Sequence, residues 1–158
     1  MPATAMLTTQ IVNPILESTF EAFELMMDVQ CKKKGMSLVT ESTEFNPVSS
    51  VIGLTGRVVG SICLSYPKKT AFACVKRMVD VDVDEVNNLV CDCVSEFSNV
   101  IAGSAKDKVV DLELEIGIPT VVRGDSHRID FPRSCQPVCV DFGSEIGPFK
   151  VIFGFEER

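Results

Sequence analysis

Residues 86–106 read VNNLVCDCVSEFSNVIAGSAK and have the periodicity of a long amphipathic helix. Apolar residues recur there at three- and four-residue intervals and form one stripe, which consists of Val86, Leu89, Val90, Cys93, Val94, Phe97, Val100, Ile101 and Ala105. At about 100° per residue, four other residues lie within roughly 60° of one another, away from that stripe: Asp92, Glu96, Asn99 and Gly103. The stretch therefore predicts a narrow polar ridge on a helix whose other side is anchored in a core.

The residues of this ridge allow two interpretations. A solvated surface is the default for the polar side of an amphipathic helix. Two features favour a functional surface instead. The ridge contains neither Lys nor Arg, so it lacks the usual ion pairs of helix surfaces. The polar face also places Ser95 and Asn99 mid-helix, where such residues are less favourable than Ala by up to ~0.7 kcal/mol.

Two shorter helices are predicted before this one. Asn13-Pro14 predicts a helix start, because Asn is a good cap and Pro is favoured at the first helical position. Residues 1–12 then form a polar lead-in or a short strand, and Lys32–Gly35 ends the helix with cations and a glycine. A second helix opens at Pro67 and ends near Asp80. Asp84 is the predicted cap of the long helix.

The remaining segments have strand character. Val48–Leu54 and Arg57–Tyr66 predict a hairpin that turns at Thr55-Gly56. After the long helix Leu112–Ile118 alternates and Pro119–Arg123 is apolar and β-branched, and two further strands are predicted at Cys135–Phe142 and Phe149–Phe155. Helices and strands mix without strict βαβ alternation, so we expect an α+β protein.

Length, charge and cysteine content limit the function classes. The chain has 158 residues, which suits a single domain, and its net charge of −7 makes it a poor nucleic-acid binder. No stretch approaches the ~20 apolar residues that span a bilayer, and the start lacks the pattern of a signal peptide. Seven cysteines, mostly in apolar runs, favour free thiols and a cytoplasmic location.

The other candidate motifs favour structural roles, and we expect neither a metal site nor an intrinsic cofactor. Cys91 and Cys93 face nearly opposite sides of a helix, while Cys135 and Cys139 have only His127 as a further ligand, and that histidine is expected in a solvated turn. The glycines between Gly53 and Gly60 lack the Gly-Lys-Ser/Thr sequence of a phosphate loop.

The ridge is also where the sequence resembles a known family. Asp92-Cys-Val-Ser-Glu96-Phe-Ser-Asn99, followed by Val100-Ile-Ala-Gly103, resembles the D/S-x-x-x-E-x-x-N signature of the CheC/CheX/FliY phosphatases, which act on the phosphorylated chemotaxis response regulator CheY. Flanking pieces resemble the same family in the same order: Asn13-Pro14-Ile-Leu, Val51 to Gly60, Ala71 to Met78, and Ile118 to Gly124. A single copy of the signature is similar to CheX rather than to the two-site CheC pattern.

This resemblance implies a CheC-like fold over residues 1–158 and a protein substrate. The substrate is an aspartyl phosphate on a receiver domain, with Mg²⁺ bound by that partner. Asn99 is expected to orient the attacking water, since an amide both donates and accepts hydrogen bonds. Glu96 is expected to pair with the receiver's active-site lysine, while Asp92 assists docking and Gly103 leaves room for the partner.

Two further expectations follow from the resemblance. One is a homodimer, with the strand-rich region Leu112–Phe155 as the source of a pairing edge. The other is the main alternative function, a non-catalytic module that binds a receiver domain or belongs to a flagellar-switch or signalling assembly. A small-molecule enzyme has no base, metal site or phosphate loop to support it.

Overall fold

Over residues 3–158 the protein is an α+β structure in which three α-helices pack on a seven-stranded antiparallel sheet. The computed structural model describes the backbone of residues 3–158 and the side chains from Gln10 onward. The helices are α1 (Ala3–Met27), α2 (Lys68–Val79) and α3 (Asn88–Lys108). The strands are β1 (Cys31–Leu38), β2 (Val48–Thr55), β3 (Val58–Tyr66), β4 (Glu115–Ile116), β5 (Thr120–Arg123), β6 (Val138–Ser144) and β7 (Phe149–Glu157).

The order of the strands leaves two edges to the sheet. The neighbours run β1-β6-β7-β3-β2-β4, and β5 also pairs with β2. The edges are therefore β1 on one side and β4 with β5 on the other. The hairpin between β2 and β3 is confirmed, and its pairing runs from Val48 opposite Tyr66 to Thr55 opposite Val59.

The main core lies between the helices and one face of the sheet. Phenylalanine rings join the layers: Phe23 of α1 meets Phe97 of α3 edge-to-face at 4.6 Å and stacks on Phe149 of β7 at 4.4 Å. Phe142 of β6 continues the stack at 5.0 Å from Phe149. This packing fixes α3 on the sheet through residues from both ends of the chain.

The opposite face of the sheet carries a smaller apolar cluster. Cys63, Cys139 and Ile152 are buried there under the two loops 39–46 and 124–137. Arg128 Nη2 donates to the Thr40 carbonyl at 2.8 Å, and Lys150 Nζ donates to the Glu44 carbonyl at 2.7 Å. The loops are thus held down by cationic side chains that satisfy backbone carbonyls.

The prediction that α1 begins at Asn13-Pro14 is wrong, because α1 already begins at Ala3 and Pro14 lies inside it. A proline in a helix interior costs roughly 3 kcal/mol or more. Ile11 and Ile15, one turn apart on either side of Pro14, are both buried in the core. Their burial offsets much of that cost, at ~1.5–3 kcal/mol for each such side chain.

The lysine run is also not the end of α1. The helix ends at Met27, where Asp28 adopts the left-handed conformation with φ 54°. Lys32, Lys33 and Lys34 instead lie exposed on β1. Cations suit a helix C-terminus and an edge strand equally well, since lysine discourages edge-to-edge pairing. The sequence pattern alone does not separate these two places.

Helix α3 is confirmed, but its cap is Asn87 rather than Asp84. The Asn87 side chain accepts a hydrogen bond from the Val90 backbone N–H at 3.0 Å, so the helix begins at Asn88. Asn and Asp are similar N-caps, and Asn87 is the cap here because it directly precedes the first helical residue. Between residues 3 and 158, no helix is long and apolar enough to cross a membrane.

Candidate functional site

The ridge predicted on the long helix is on the surface of α3. Asp92, Glu96 and Asn99 are exposed, and Gly103 is half-buried. The opposite side of the helix is in the core, where Val94, Phe97, Ser98, Ile101 and Ala102 are nearly or fully inaccessible. The predicted acid and amide therefore point away from the protein, one turn apart.

The back of α3 is held by polar contacts as well as by apolar packing. Ser98 Oγ donates to Ser50 Oγ on β2 at 2.8 Å, and both hydroxyls are fully buried. Lys108 Nζ donates to Glu21 Oε2 on α1 and to Ser104 Oγ, each at 2.8 Å. A buried hydrogen bond and core packing leave the helix little freedom to shift or rotate.

Sequence analysis missed Ser98 because it falls in the apolar stripe and its partner is 48 residues away. A serine at a core-facing position next to a polar ridge is itself the signal that identifies it. Sequence analysis also missed Arg123, because its partner is distant in the chain: its Nη1 donates to the Val86 carbonyl at 2.7 Å. This bond ties the segment before α3 to the edge strand β5.

One flank of the ridge is lined by β4. A Cβ placed on Gly103 would lie 3.8 Å from Ile116 Cδ1, which is an ordinary van der Waals distance. An alanine therefore fits at this position. A longer side chain would extend outward beside Asn99.

The polar groups of the ridge are not committed to the fold. Side-chain hydrogen bonds on α3 are made by Ser98, Ser104 and Lys108. Within residues 10–158, neither Glu96 nor Asn99 takes part in a side-chain hydrogen bond or an ion pair. A free carboxylate offers acceptors to a cation, and a free amide offers both a donor and an acceptor. Together they suit contact with a second molecule.

His127 lies in the predicted turn region but is less solvated than we predicted. It is half-buried, and its Nδ1 lies 2.9 Å from the Gly124 carbonyl oxygen while its Nε2 lies 2.8 Å from Ser49 Oγ. Nε2 thus ties the 124–137 loop to β2, and Nδ1 closes a turn within the loop. Among the described residues, no cluster of three or more His, Cys, Asp or Glu is arranged to hold a metal ion.

The cysteines are buried thiols. All seven are free, and six of them are buried. Burial raises the pKa of Cys63 and Cys74 to about 12 and that of Cys31 and Cys139 to about 11. These thiols therefore stay protonated near neutral pH and act as small apolar side chains.

The fold and the exposed helix define the class of this protein. A CheC-like superfamily protein from Shewanella sp. PV-4 superposes with a TM-score of 0.85 at 24% identity, covering 93% of this chain and 97% of that one. The CheX of a CheX–CheY–BeF3–Mg complex from Borrelia burgdorferi superposes at 0.80 with 21% identity, covering 92% and 97%. Both comparisons place the chain in the CheC-like fold.

Sequence similarity then gives the family. The profile of the family "Chemotaxis phosphatase CheX" matches residues 48–143, a range that contains all of α3. The CheY-P phosphatase CheX of Thermotoga maritima is 28% identical over 123 residues, covering 76% of this chain and 79% of the relative. The chain belongs to the chemotaxis phosphatase CheX family.

Proposed function

We propose that this chain is a phosphatase that stimulates hydrolysis of the aspartyl phosphate on a CheY-type receiver domain. The observation that supports this most directly is the acid–amide pair Glu96 and Asn99, exposed and uncommitted on a helix with a fixed back. The CheX family match and the name of the Thermotoga relative supply the reaction class. The protein is expected to act in the cytoplasm, where response regulators work.

The chemistry asks the enzyme for position rather than for covalent bonding. Water attacks the phosphorus, the bond from phosphorus to the aspartate oxygen breaks, and the aspartate leaves as a carboxylate. The water oxygen bonds to phosphorus, and both of its protons end on the inorganic phosphate, which leaves as H2PO4− or passes one proton to solvent. In this proposal Asn99 holds the water by accepting a hydrogen bond from it and donates one to a phosphoryl oxygen. Its amide does not titrate near neutral pH.

Docking is the role of the other ridge residues. Glu96 pairs with the receiver's active-site lysine, a charge-assisted bond that fixes register. Asp92, one turn earlier, extends the acidic surface. Gly103 keeps the space beside Asn99 open. The Mg²⁺ belongs to the receiver in this scheme, as does the phosphoryl group, so the chain contributes side chains only.

A homodimer is a second part of the proposal. Within the expected range Leu112–Phe155, β6 and β7 have neighbours on both sides, so only β4 and β5 offer a free edge. The other free edge is β1. Sedimentation at micromolar concentration tests this proposal, and a monomer only would contradict it.

The deciding experiment measures phosphate release from a phosphorylated CheY-type receiver with Mg²⁺, with and without this protein. Stimulated release by the wild type and its loss in Asn99→Ala are the expected results. Asn88→Ala is the matched control, since it makes the same change at an exposed position of the same helix. A wild type that binds the phosphorylated receiver but leaves its rate unchanged would identify a non-catalytic binding module instead.

A further inference from the structure

The three most exposed large apolar side chains of residues 10–158 lie on or next to elements that pack against the site helix or follow it. Ile118 is 90% exposed, Leu25 83% and Val110 70%. Val110 begins the short turn directly after α3. Single exposed apolar residues are common on protein surfaces. Their concentration around one helix is the feature that needs an explanation.

Ile118 is held outward by an irregularity in the sheet edge. Ile116 of β4 pairs with Leu54 of β2, and Thr120 of β5 pairs with Val51. Three residues, 117–119, therefore stand opposite two on β2, which makes a bulge that re-aims a side chain. At the start of the bulge the Gly117 N–H donates to the Gly53 carbonyl at 2.8 Å, and at its end Pro119 restricts the backbone.

This bulge lies beside the segment of α3 that carries Asn99. Ser98 bonds to Ser50, which pairs with Val121 of β5. Gly103 faces Ile116 of β4. Asn99 lies between Ser98 and Gly103 on the helix, and Ile118 lies between β4 and β5 in the facing segment.

Protection of the sheet edge does not account for an isoleucine here. The opposite edge, β1, also has a register shift, between Lys33 and Gly35, and carries exposed lysines. Bulges and lysines both discourage edge pairing. An exposed isoleucine does not discourage pairing, so Ile118 is better explained as a contact for another molecule than as protection of the edge.

Leu25 borders the ridge from the other flank. It follows Glu21 by one turn of α1, and the Glu21 carboxylate reaches Ser104 and Lys108 of α3. Residues one turn apart share a helix face, so Leu25 lies on the side of α1 that meets α3. Phe23, about 200° away from Leu25 around α1, points instead into the core against Phe97.

We propose that Ile118 and Leu25 are the apolar contacts that a docked receiver domain buries on either side of the Glu96–Asn99 ridge. This inference rests on the proposed function and adds two residues that determine affinity. A helix with its side chains is about 10–12 Å across, whereas a standard interface covers ~800 Å² on each partner, which is about 30 Å across. A receiver that reaches Asn99 therefore covers both flanks. The acidic ridge between them selects a partner with a central cation and an apolar surround.

The test compares Ile118→Ser, Leu25→Ser and the double variant with wild type, using CheY with BeF3 and Mg²⁺ for binding and phosphorylated CheY for turnover. Burial of such side chains predicts that each change raises Kd and KM about tenfold and leaves kcat unchanged. The double variant should lose about 100-fold in affinity, because the two residues lie on opposite flanks and their effects add. The loss is the same at low and high salt, because an apolar contact is not screened.

Leu38→Ser on β1 is the matched control, as an exposed leucine at the far edge of the sheet. Its Kd for CheY should equal that of wild type. Wild-type activity with equal affinities in all variants would overturn this inference and leave the proposed function standing. A change in the sedimentation mass of Ile118→Ser with unchanged receiver affinity would show that a second copy covers Ile118, and would also overturn it. A wild type that neither binds nor dephosphorylates CheY would overturn both.

Discussion

Replacing Asn99 with alanine should make the protein slightly more stable and almost inactive. Asn99 is exposed in the interior of α3, where Asn is less favourable than Ala by up to ~0.7 kcal/mol. Its amide makes no hydrogen bond within residues 10–158 that the change would remove. For a chain of this size 1 kcal/mol shifts Tm by roughly 2–4 °C. We therefore expect Asn99→Ala to melt about 1–2 °C higher than wild type.

The expected loss of activity has a different origin. An amide that holds the attacking water contributes through position, and a misplacement of about 1 Å can reduce a rate about 100-fold. We expect kcat to fall at least about 100-fold, which is ~2.7 kcal/mol of activation free energy. The Kd for the receiver should stay within about threefold of wild type, because Glu96 and its docking contacts remain.

Calorimetry and phosphate-release kinetics under saturating receiver measure the two effects on one sample. Asn88→Ala should keep wild-type kcat. Full activity in Asn99→Ala would remove the amide from the mechanism. A destabilisation of more than about 1 kcal/mol would instead show that Asn99 supports the fold, and the exposed amide would then have been misread.

Three further outcomes follow from the ridge, from the buried side of α3 and from the buried thiols. Glu96→Gln should weaken receiver binding about tenfold at low salt, with the difference shrinking at high salt, because it removes one charge from an ion pair; titration at two salt concentrations checks this. Ser98→Ala should lower the unfolding free energy by ~1–3 kcal/mol at constant m, since it leaves the buried Ser50 hydroxyl without a partner; urea unfolding measures it. Burial raises the pKa of Cys63 and Cys74 from the ordinary 9.0 to about 12. Between these two pH values the thiols ionise in the unfolded chain but not in the folded one. Their contribution to stability is therefore complete below pH 9 and is lost as the pH rises towards 12. Urea unfolding at pH 8 and pH 10 should show the decline, and equal stabilities would contradict it.

The parts of the fold predicted correctly are those in which a local pattern has one meaning. The stripe that contains Val94 and Phe97 admits only a helix with a buried back. Thr55-Gly56, between two apolar runs, admits only a hairpin. The polar ridge followed from the same periodicity, because the angle between Glu96 and Asn99 depends on the helix alone.

The errors arose where one pattern suits two structures. Pro14 is favoured at a helix start, but it is also tolerated inside a helix whose burial elsewhere offsets its cost. Lys32–Lys34 suit a helix end and an edge strand. The place of Pro14 depends on whether Ile11 reaches the core, and the place of the lysines depends on whether β1 lies at an edge. Both are properties of the assembled fold. Ile118 belongs to the same group, since its exposure depends on a register between β2, β4 and β5.

Consecutive residues on α3 separate the roles of stability and activity. Phe97 and Ser98 face the core, and Asn99 faces outward, because each step along the helix turns by about 100°. If rigid display of Asn99 is what the site requires, Ser98→Ala should lose stability and also some kcat, since a looser back lets the amide move. Asn99→Ala should lose kcat and gain stability. Parallel losses of both properties in the two variants would mean that catalysis depends only on how much protein is folded. If Ser98→Ala loses stability, Asn99→Ala gains it and kcat falls in both, the activity requires a positioned amide.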